Sequence, residues 1–385
     1  MASERAWVGL SRVMHAWTLL KLAVWAAFLL VAPAVCLQRG LVGAAVLLGL
    51  LGLLLDVAAL EVLIGWTRGW APAIRRGMML YHLGIAIVGG ALVLRPIDAR
   101  WTVLVGSEGL ENGAVAAAPD GLLVLGGGEL RLFGRGQEAR SLAYPGPFAW
   151  LALGSADGAV WVVPRDAPQV FRRMGDEWTA SPRPGGSVDA FAAGPTRLWL
   201  VAEGGLYTRG PEDVRWDRSE DCPGATGVAV APDDESRVLV VGRRWCGSGD
   251  GGRVWSEATP AAEEFEGFPE AAQGGGGWQY VYSSGMWRST LHVRGPGEAG
   301  FVRRAAPASD VRVMVADPHD GRRVWAGTWG EGVFVSGDGG ASWADFGLQR
   351  IQVRSMAIDP VARTIAAASS NTIFDKGVFV RAIDG

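Results

Sequence analysis

Ser336-Gly337-Asp338-Gly339-Gly340-Ala341-Ser342-Trp343 decides the fold of this 385-residue chain. It follows two short apolar runs, Val324-Trp325-Ala326-Gly327-Thr328 and Gly332-Val333-Phe334-Val335-Ser336, so it reads as the turn that leaves a strand pair. Asp338 can accept hydrogen bonds from the backbone N–H groups just after it and close a tight turn. Gly339 and Gly340 permit the positive φ such a turn needs. Ser336 adds a hydroxyl bond to the same turn, and Trp343 opens the next strand and pins the turn to the sheet by its apolar area. The pattern recurs at Ser248-Gly249-Asp250-Gly251-Gly252-Arg253-Val254-Trp255. Two copies in equivalent places favour structural turns, with Ser248, Asp250, Gly252 and Trp255 matching Ser336, Asp338, Gly340 and Trp343, over a catalytic aspartate.

Outward from these turns the sequence is periodic. After Arg95-Pro96 short alternating strands are separated by Gly, Pro and Asp turns. A proline turn recurs at Pro119, Pro195, Pro232, Pro318 and Pro360, with gaps of 76, 37, 86 and 42, which are one or two units of 37–43 residues. Trp178, Trp216, Trp255 and Trp343 follow the same period, as do Trp161 and Trp199. The units fall at 113–145, 148–183, 187–221, 225–260, 263–305, 310–348 and 351–385, the fifth being the least regular. The seventh lacks a clear fourth strand, which Trp101-Thr102-Val103-Leu104-Val105 is placed to supply. Four strands per unit and seven units predict an all-β propeller over 98–385, its ring closed by joining both chain ends in one sheet. Alanines at 116–118, 190, 192, 193 and 366–368 read as the crowded innermost strands.

Residues 1–97 read differently. Three apolar runs, at about 17–37, 41–66 and 78–94, approach or exceed the ~20 residues of a bilayer crossing. A signal peptide would account for the first run only. The sequence therefore predicts an N-terminal α-helical bundle of three transmembrane helices that anchors the propeller. Arg5 and Arg12 precede the first helix, and Arg68, Arg75 and Arg76 lie between the second and third, which favours a cytoplasmic N-terminus. The propeller is then periplasmic or extracellular, on an integral protein of a bacterial inner membrane. Within the bundle, antiparallel folding brings Lys21 level with Asp56 and Glu61 level with His82. These pairs read as polar clips between helices rather than as a proton or ligand pathway.

Charge and cysteine usage narrow the function. Residues 1–100 carry nine Lys/Arg against four Asp/Glu, and the remainder 27 against 35. An acidic outer domain on a basic membrane segment excludes nucleic acid as the expected partner. Cys222 and Cys246 flank one repeat and pair as a disulfide in an oxidising compartment, or remain two thiols otherwise. The four histidines are scattered, so neither a metal nor a cofactor is expected. Gly274-Gly275-Gly276-Gly277 reads as a flexible loop, Arg243-Arg244 and Arg303-Arg304 as solvated pairs, and Trp245, Trp278, Trp287 and Trp329 as blade core more than as a binding surface.

The two Ser-x-Asp-Gly-Gly-x-x-Trp turns resemble the Asp-box, or BNR, repeat of sialidases, sortilin-type receptors and photosystem II assembly-factor-like propellers. That resemblance implies a structural turn between the third and fourth strands of a blade, and no common chemistry. A sialidase would need an arginine triad, a Tyr-Glu nucleophile pair and an acidic Asp. The Arg-Ile-Pro motif of that family is absent, and Tyr144, Tyr207, Tyr280 and Tyr282 show no nucleophile context in sequence. The expectation is a non-enzymatic, membrane-anchored scaffold, assembly factor or accessory subunit of a membrane protein complex, a photosynthetic one being one version. Its partners would be other membrane proteins and the lipid bilayer. The alternatives are a receptor taking a glycan, peptide or small ligand at the propeller mouth, and a sialidase-like hydrolase.

Overall fold

The computed structural model describes residues 100–107, 113–126, 128–136, 139–146, 151–156, 158–165, 167–258, 269–284, 288–369 and 377–384. The expected transmembrane helices and the Lys21, Asp56, Glu61 and His82 pairs lie outside these residues. Among the described residues no helix is long and apolar enough to cross a membrane.

The described residues form seven four-stranded antiparallel sheets. In chain order these blades run 114–142, 151–182, 188–219, 225–257, 269–304, 311–347 and 353–382, numbered 1 to 7. The seven blades are the seven units of the sequence period. Each is a simple meander, because turns of a few residues join only neighbouring antiparallel strands. The first strand of every blade packs against the first strands of the blades before and after it, in an unbroken ring from Ala114–Ala118 round to Val353–Asp359. The first strands therefore surround the axis.

The second strands carry the core. Gly121–Gly126, Ala159–Pro164, Leu198–Ala202 and Val324–Thr328 are buried along their whole length. Their side chains alternate between two neighbouring blades, so Val, Leu and Trp occur without a polar face. Trp161, Trp199, Trp245 and Trp325 are the largest fully buried side chains. Trp245 is thus core, as the sequence suggested, packed edge-on to His292 and Phe301 of blade 5.

Ring closure follows the expectation. Thr102–Val103 pairs with Val378–Ala382 as the outermost strand of blade 7, Thr102 opposite Val380 and Val103 opposite Phe379. The pairing is only two residues long, and buried side chains reinforce it. Ser107 Oγ accepts from Val378 N at 2.9 Å, and Trp101 Nε1 donates to Phe346 O at 2.8 Å.

One expectation is corrected. Ala366, Ala367 and Ala368 lie in the second strand of blade 7, Thr364–Ser369, rather than against the axis. All three are fully buried. Ala366 and Ala368 are small because Val115, Val124 and Phe133 of blade 1 pack on that face. The alanine run marks a packed blade seam, which local sequence cannot tell from a crowded axis.

Candidate functional site

The first and third strands of a meander run the same way. The proline turns after the first strands and the Ser-x-Asp turns after the third therefore share one face of the ring. Both Ser-x-Asp turns have the geometry read from the sequence. Asp338 Oδ1 accepts from Ala341 N and Ser342 N, each at 2.9 Å, and from Ser336 Oγ at 2.8 Å. Ser336 Oγ in turn accepts from Gly340 N at 2.7 Å. Gly339 and Gly340 take φ of 72° and 84°. In the other copy Asp250 Oδ1 accepts from Arg253 N at 3.0 Å and Val254 N at 2.9 Å, and Ser248 Oγ accepts from Gly252 N at 2.8 Å. The Ser342 and Ser336 bonds hold the Asp338 carboxyl well below the usual carboxylate range, and the Val254 and Ser248 bonds lower that of Asp250. These carboxylates are spent on their turns.

Each turn is also stapled to other elements. Gly339 N donates to Arg322 O and Gly251 N to Ser236 O, both at 2.8 Å, tying the turn to the hairpin of its own blade. An arginine of the preceding blade then caps it: Arg197 Nη1 reaches Gly251 O at 2.9 Å, and Arg304 Nη1 reaches Gly339 O at 2.9 Å and Asp338 O at 3.1 Å. Arg304 is thus a tethered cap rather than the solvated residue expected. Trp343 Nε1 donates to Ala305 O at 3.1 Å, also on the preceding blade.

The proline turns ring the axis and open a bowl of ≈ 800 Å³ at the channel end. Its wall is apolar, including Ala193, Val230, Ala272, Val315, Ala316 and Ile358, and Pro195, Pro232, Pro318 and Pro360 stand on its lip. The acids at the lip are engaged. Glu235 accepts from Thr196 N at 2.9 Å and Thr196 Oγ1 at 2.6 Å, joining blades 4 and 3. Asp233 Oδ2 accepts from Gly276 N at 2.8 Å, joining blades 4 and 5. Two Asp-Pro turns repeat one device. Asp317 is held by Arg363 at 3.0 Å, and Asp359 by Arg135 through two bonds of 2.9 Å. Burial alone would raise the Asp359 carboxyl, but Arg135 and the N–H groups of Ala362 and Val361 outweigh it and leave it lowered. Within the glycine run of blade 5, Gly274 and Gly275 are packed: a Cβ on Gly275 would meet Pro318 O at 2.2 Å, and one on Gly274 would meet Gly321 Cα at 2.5 Å.

The opposite end of the axis holds a pair that the sequence did not disclose. Glu270 and Tyr282 are directly opposite on neighbouring strands of blade 5, and Tyr282 Oη donates to Glu270 Oε2 at 2.8 Å. Burial raises both groups. Eleven intervening residues hide this pair from any local motif, and only the hairpin register would have found it. Tyr282 is 4% exposed. The phenol is thus enclosed, with Glu270 as its hydrogen-bond acceptor.

Cys222 and Cys246 come together with Cα atoms 6.1 Å apart, a separation that a disulfide spans. Of the four tryptophans singled out as blade core or binding surface, Trp278 packs on the core shared by blades 5 and 6, and Trp329 lies under the Arg312 guanidinium at 5.0 Å. Trp287 lies outside the described residues.

No protein-family model and no curated protein matches the chain. Solved structures do. YCF48 from Cyanidioschyzon merolae is similar with a TM-score of 0.53 and 14% identity, over 74% of this chain and 98% of that one. The RRP9 WD40 repeats give a TM-score of 0.55 at 11% identity, over 74% and 98%. The GH74 enzyme of Niastella koreensis gives 0.51 at 13%, over 74% of this chain but 54% of that one, so the chain spans about half of it. At these identities the likeness shows the propeller fold and no more.

Proposed function

We propose that the chain is a membrane-anchored propeller that acts as a scaffold, assembly factor or accessory subunit of a membrane protein complex. The observation that carries this reading is the apolar bowl. It is a preformed concavity of ≈ 800 Å³ whose wall is Ala, Val, Met and Ile and whose lip acids are already bonded within the ring. Such a surface suits an apolar side chain or extended segment of another protein, because its polar residues Asp233, Asp234, Glu235 and Gln273 are already bonded within the ring. The anchor is the three-helix segment of residues 1–97, the ring stands in the periplasm or outside the cell, and the Ser-x-Asp turns are Asp-boxes of the structural kind. The photosynthetic version rests on resemblance of those turns alone.

The receptor alternative uses the same bowl with a glycan, peptide or small ligand. The hydrolase alternative draws on the fold shared with the GH74 enzyme, and the enclosure of Tyr282 counts against a sialidase mechanism.

Purification of the full chain from its native membrane in mild detergent, followed by mass spectrometry, tests the proposal. A stoichiometric set of membrane proteins is expected. Val315→Asp and Ala193→Asp, which place charge on the half-buried bowl wall, should lose that set while the ring stays folded. A chain that purifies alone in both wild-type and variant forms refutes the subunit reading.

A further inference from the structure

On the same face, blades 4 and 5 leave a second groove of ≈ 360 Å³, separate from the bowl, lined by Arg237, Ser248, Gly249, Gly277 and Arg294 among others. Arg294 ends the third strand of blade 5, Ser289–Arg294. Its Nε donates to Gln279 Oε1 at 2.7 Å, its Nη2 reaches the same oxygen, and its plane lies over Phe301 at 4.9 Å. Gln279 passes its amide to Gln273 at 3.1 Å, and Gln273 donates to Ala229 O at 2.7 Å and Arg237 O at 3.2 Å. Every partner in this relay is neutral. Burial lowers the Arg294 pKa with no acid opposing it. Among the described residues no carboxylate pairs with this guanidinium. Glu298 also lines the groove, but its Oε2 accepts from Gly295 N at 2.7 Å.

Blade 3 provides an internal control. Arg209-Gly210-Pro211-Glu212-Asp213 matches Arg294-Gly295-Pro296-Gly297-Glu298 position by position. In blade 3 both Glu212 and Asp213 act on Arg209 and oppose the effect of its burial. In blade 5 the residue matching Glu212 is Gly297. The matching arginine, buried in blade 3 and half-buried in blade 5, is therefore supplied with counter-charge in one blade and not in the other.

Much of the groove lining is glycine. A Cβ on Gly277 would stand 2.8 Å from Arg237 Nη1, and one on Gly247 3.4 Å from Arg294 Nη2. Both guanidiniums can thus lie flat in the floor. A partly buried cation without an anion is costly, and a guanidinium fork matches the two oxygens of a carboxylate, phosphate or sulfate group. Arg237 is already paired with Asp233 at 2.6 Å, which leaves Arg294 as the principal charge.

We infer that the groove between blades 4 and 5 is a binding site for a small oxyanion, gripped by Arg294 with Arg237 beside it. Calorimetric titration of the full chain with phosphate, sulfate and acetate, at constant ionic strength with chloride as reference, tests this. Saturable single-site binding of at least one oxyanion is expected, and the better of the tetrahedral and planar ions identifies the source. Arg294→Gln should weaken it by at least about tenfold, with Arg294→Lys recovering part. Because Arg294→Gln also disturbs the Gln279 relay, Gly249→Asp provides a second arm. A Cβ at Gly249 meets nothing within 4 Å, so this variant leaves Arg294 in place and brings a tethered carboxylate to the groove, which should displace the free ion. No saturable binding by the folded wild-type chain, or binding that persists unchanged in either Arg294→Gln or Gly249→Asp, overturns the assignment.

Discussion

The Ser336 and Asp338 turn yields an ordering that runs against intuition, since the conspicuous charged residue should matter less than its serine. Asp338 accepts two backbone N–H bonds, from Ala341 and Ser342, and both are exposed. Replacing Asp338 by Ala hands those donors to water, so the loss is the net worth of charge-assisted bonds at a surface, about 1–2 kcal/mol. Ser336 is 1% exposed, and the Gly340 N–H that it accepts is buried. Replacing Ser336 by Ala leaves that donor without a partner and out of reach of water. It also removes a donor from Asp338, for a total of about 2–3 kcal/mol. In a domain of this size the two substitutions should lower Tm by about 2 °C per kcal/mol, with Ser336→Ala the larger. At blade 4 the corresponding Gly252 N–H is only partly buried, so the gap between Ser248→Ala and Asp250→Ala should narrow. The pH dependence adds a second axis. A carboxyl whose folded pKa is lowered contributes fully above the unfolded value near pH 4 and loses its contribution as pH falls toward the folded value. The stability difference between wild type and Asp338→Asn should therefore be flat from pH 7 to about pH 4 and shrink below it. Thermal or urea unfolding of the full chain, followed by tryptophan fluorescence, measures all of this. An Asp338→Ala variant less stable than Ser336→Ala would sink the reasoning, because it would mean that the buried amide finds another acceptor.

Three further outcomes follow from the ring's seams. Asp359→Asn should cost about 2 kcal/mol, because it breaks a bidentate pair whose acid is buried while Arg135 can turn to water; the loss should fade below about pH 4, the direction set by the lowered Asp359 carboxyl, and unfolding curves at pH 7 and pH 3 would show it. Ser107→Ala should leave the buried Val378 N–H unpaired and open the two-residue closure, raising amide exchange in Val378–Ala382 well before the other blades; uniform protection would count against closure at this strand. We propose that Cys222 and Cys246 are bonded: non-reducing peptide mapping should recover them linked, and reduction should cost about 3 kcal/mol for a 24-residue loop, whereas two alkylated thiols in protein from an oxidising compartment would refute the bond.

The fold was legible because five of the seven blades carry local punctuation. The prolines and the Ser-x-Asp-x-Gly-x-x-Trp turns sit at fixed distances and demand turns there whatever the rest of the ring does. The Trp101–Val105 segment could be assigned to blade 7 for a topological reason, since a ring with an exposed edge is a hazard. What stayed hidden is set by register and by contact between blades. Tyr282 meets Glu270 only because the blade 5 hairpin pairs them across the sheet. Ala366 and Ala368 are small because of blade 1, some 240 residues away in the chain. Arg304 looked like half of a solvated basic pair, and only the packing of blade 5 on blade 6 shows it capping a turn. The proposed anion groove was illegible for the same reason, because the missing partner of Arg294 is a property of two blades rather than of a motif.

The periodic reading also passed over a second turn chemistry that alternates with the first. Blades 4 and 6 close their third and fourth strands with Ser-x-Asp, in which the acid reaches forward to N–H groups three and four residues on. Blades 3 and 5 use Gly-Pro-x-acid, in which the acid reaches back to the glycine three residues before it: Asp213 accepts from Gly210 N at 3.0 Å, and Glu298 from Gly295 N at 2.7 Å. Both schemes end on the same packing step. Trp216 Nε1 donates to Pro182 O and Trp343 Nε1 to Ala305 O, each at 3.1 Å and each to the outer edge of the preceding blade. In blades 3 and 6 the indole thus joins neighbouring blades, while the turn before it has only to satisfy its own backbone. Two solutions to that local problem are interchangeable for the fold. They differ in what they leave at the surface: the Ser-x-Asp turn consumes its carboxylate in the loop, and the Gly-Pro-x-acid turn brings an arginine into the groove beside it. Where both positions after the Gly-Pro supply acids, as in blade 3, that arginine is neutralised; where one of them is glycine, as in blade 5, the arginine that holds the Gln279 relay keeps a charge no neighbouring acid offsets, and ligand recognition is a role such a charge fits.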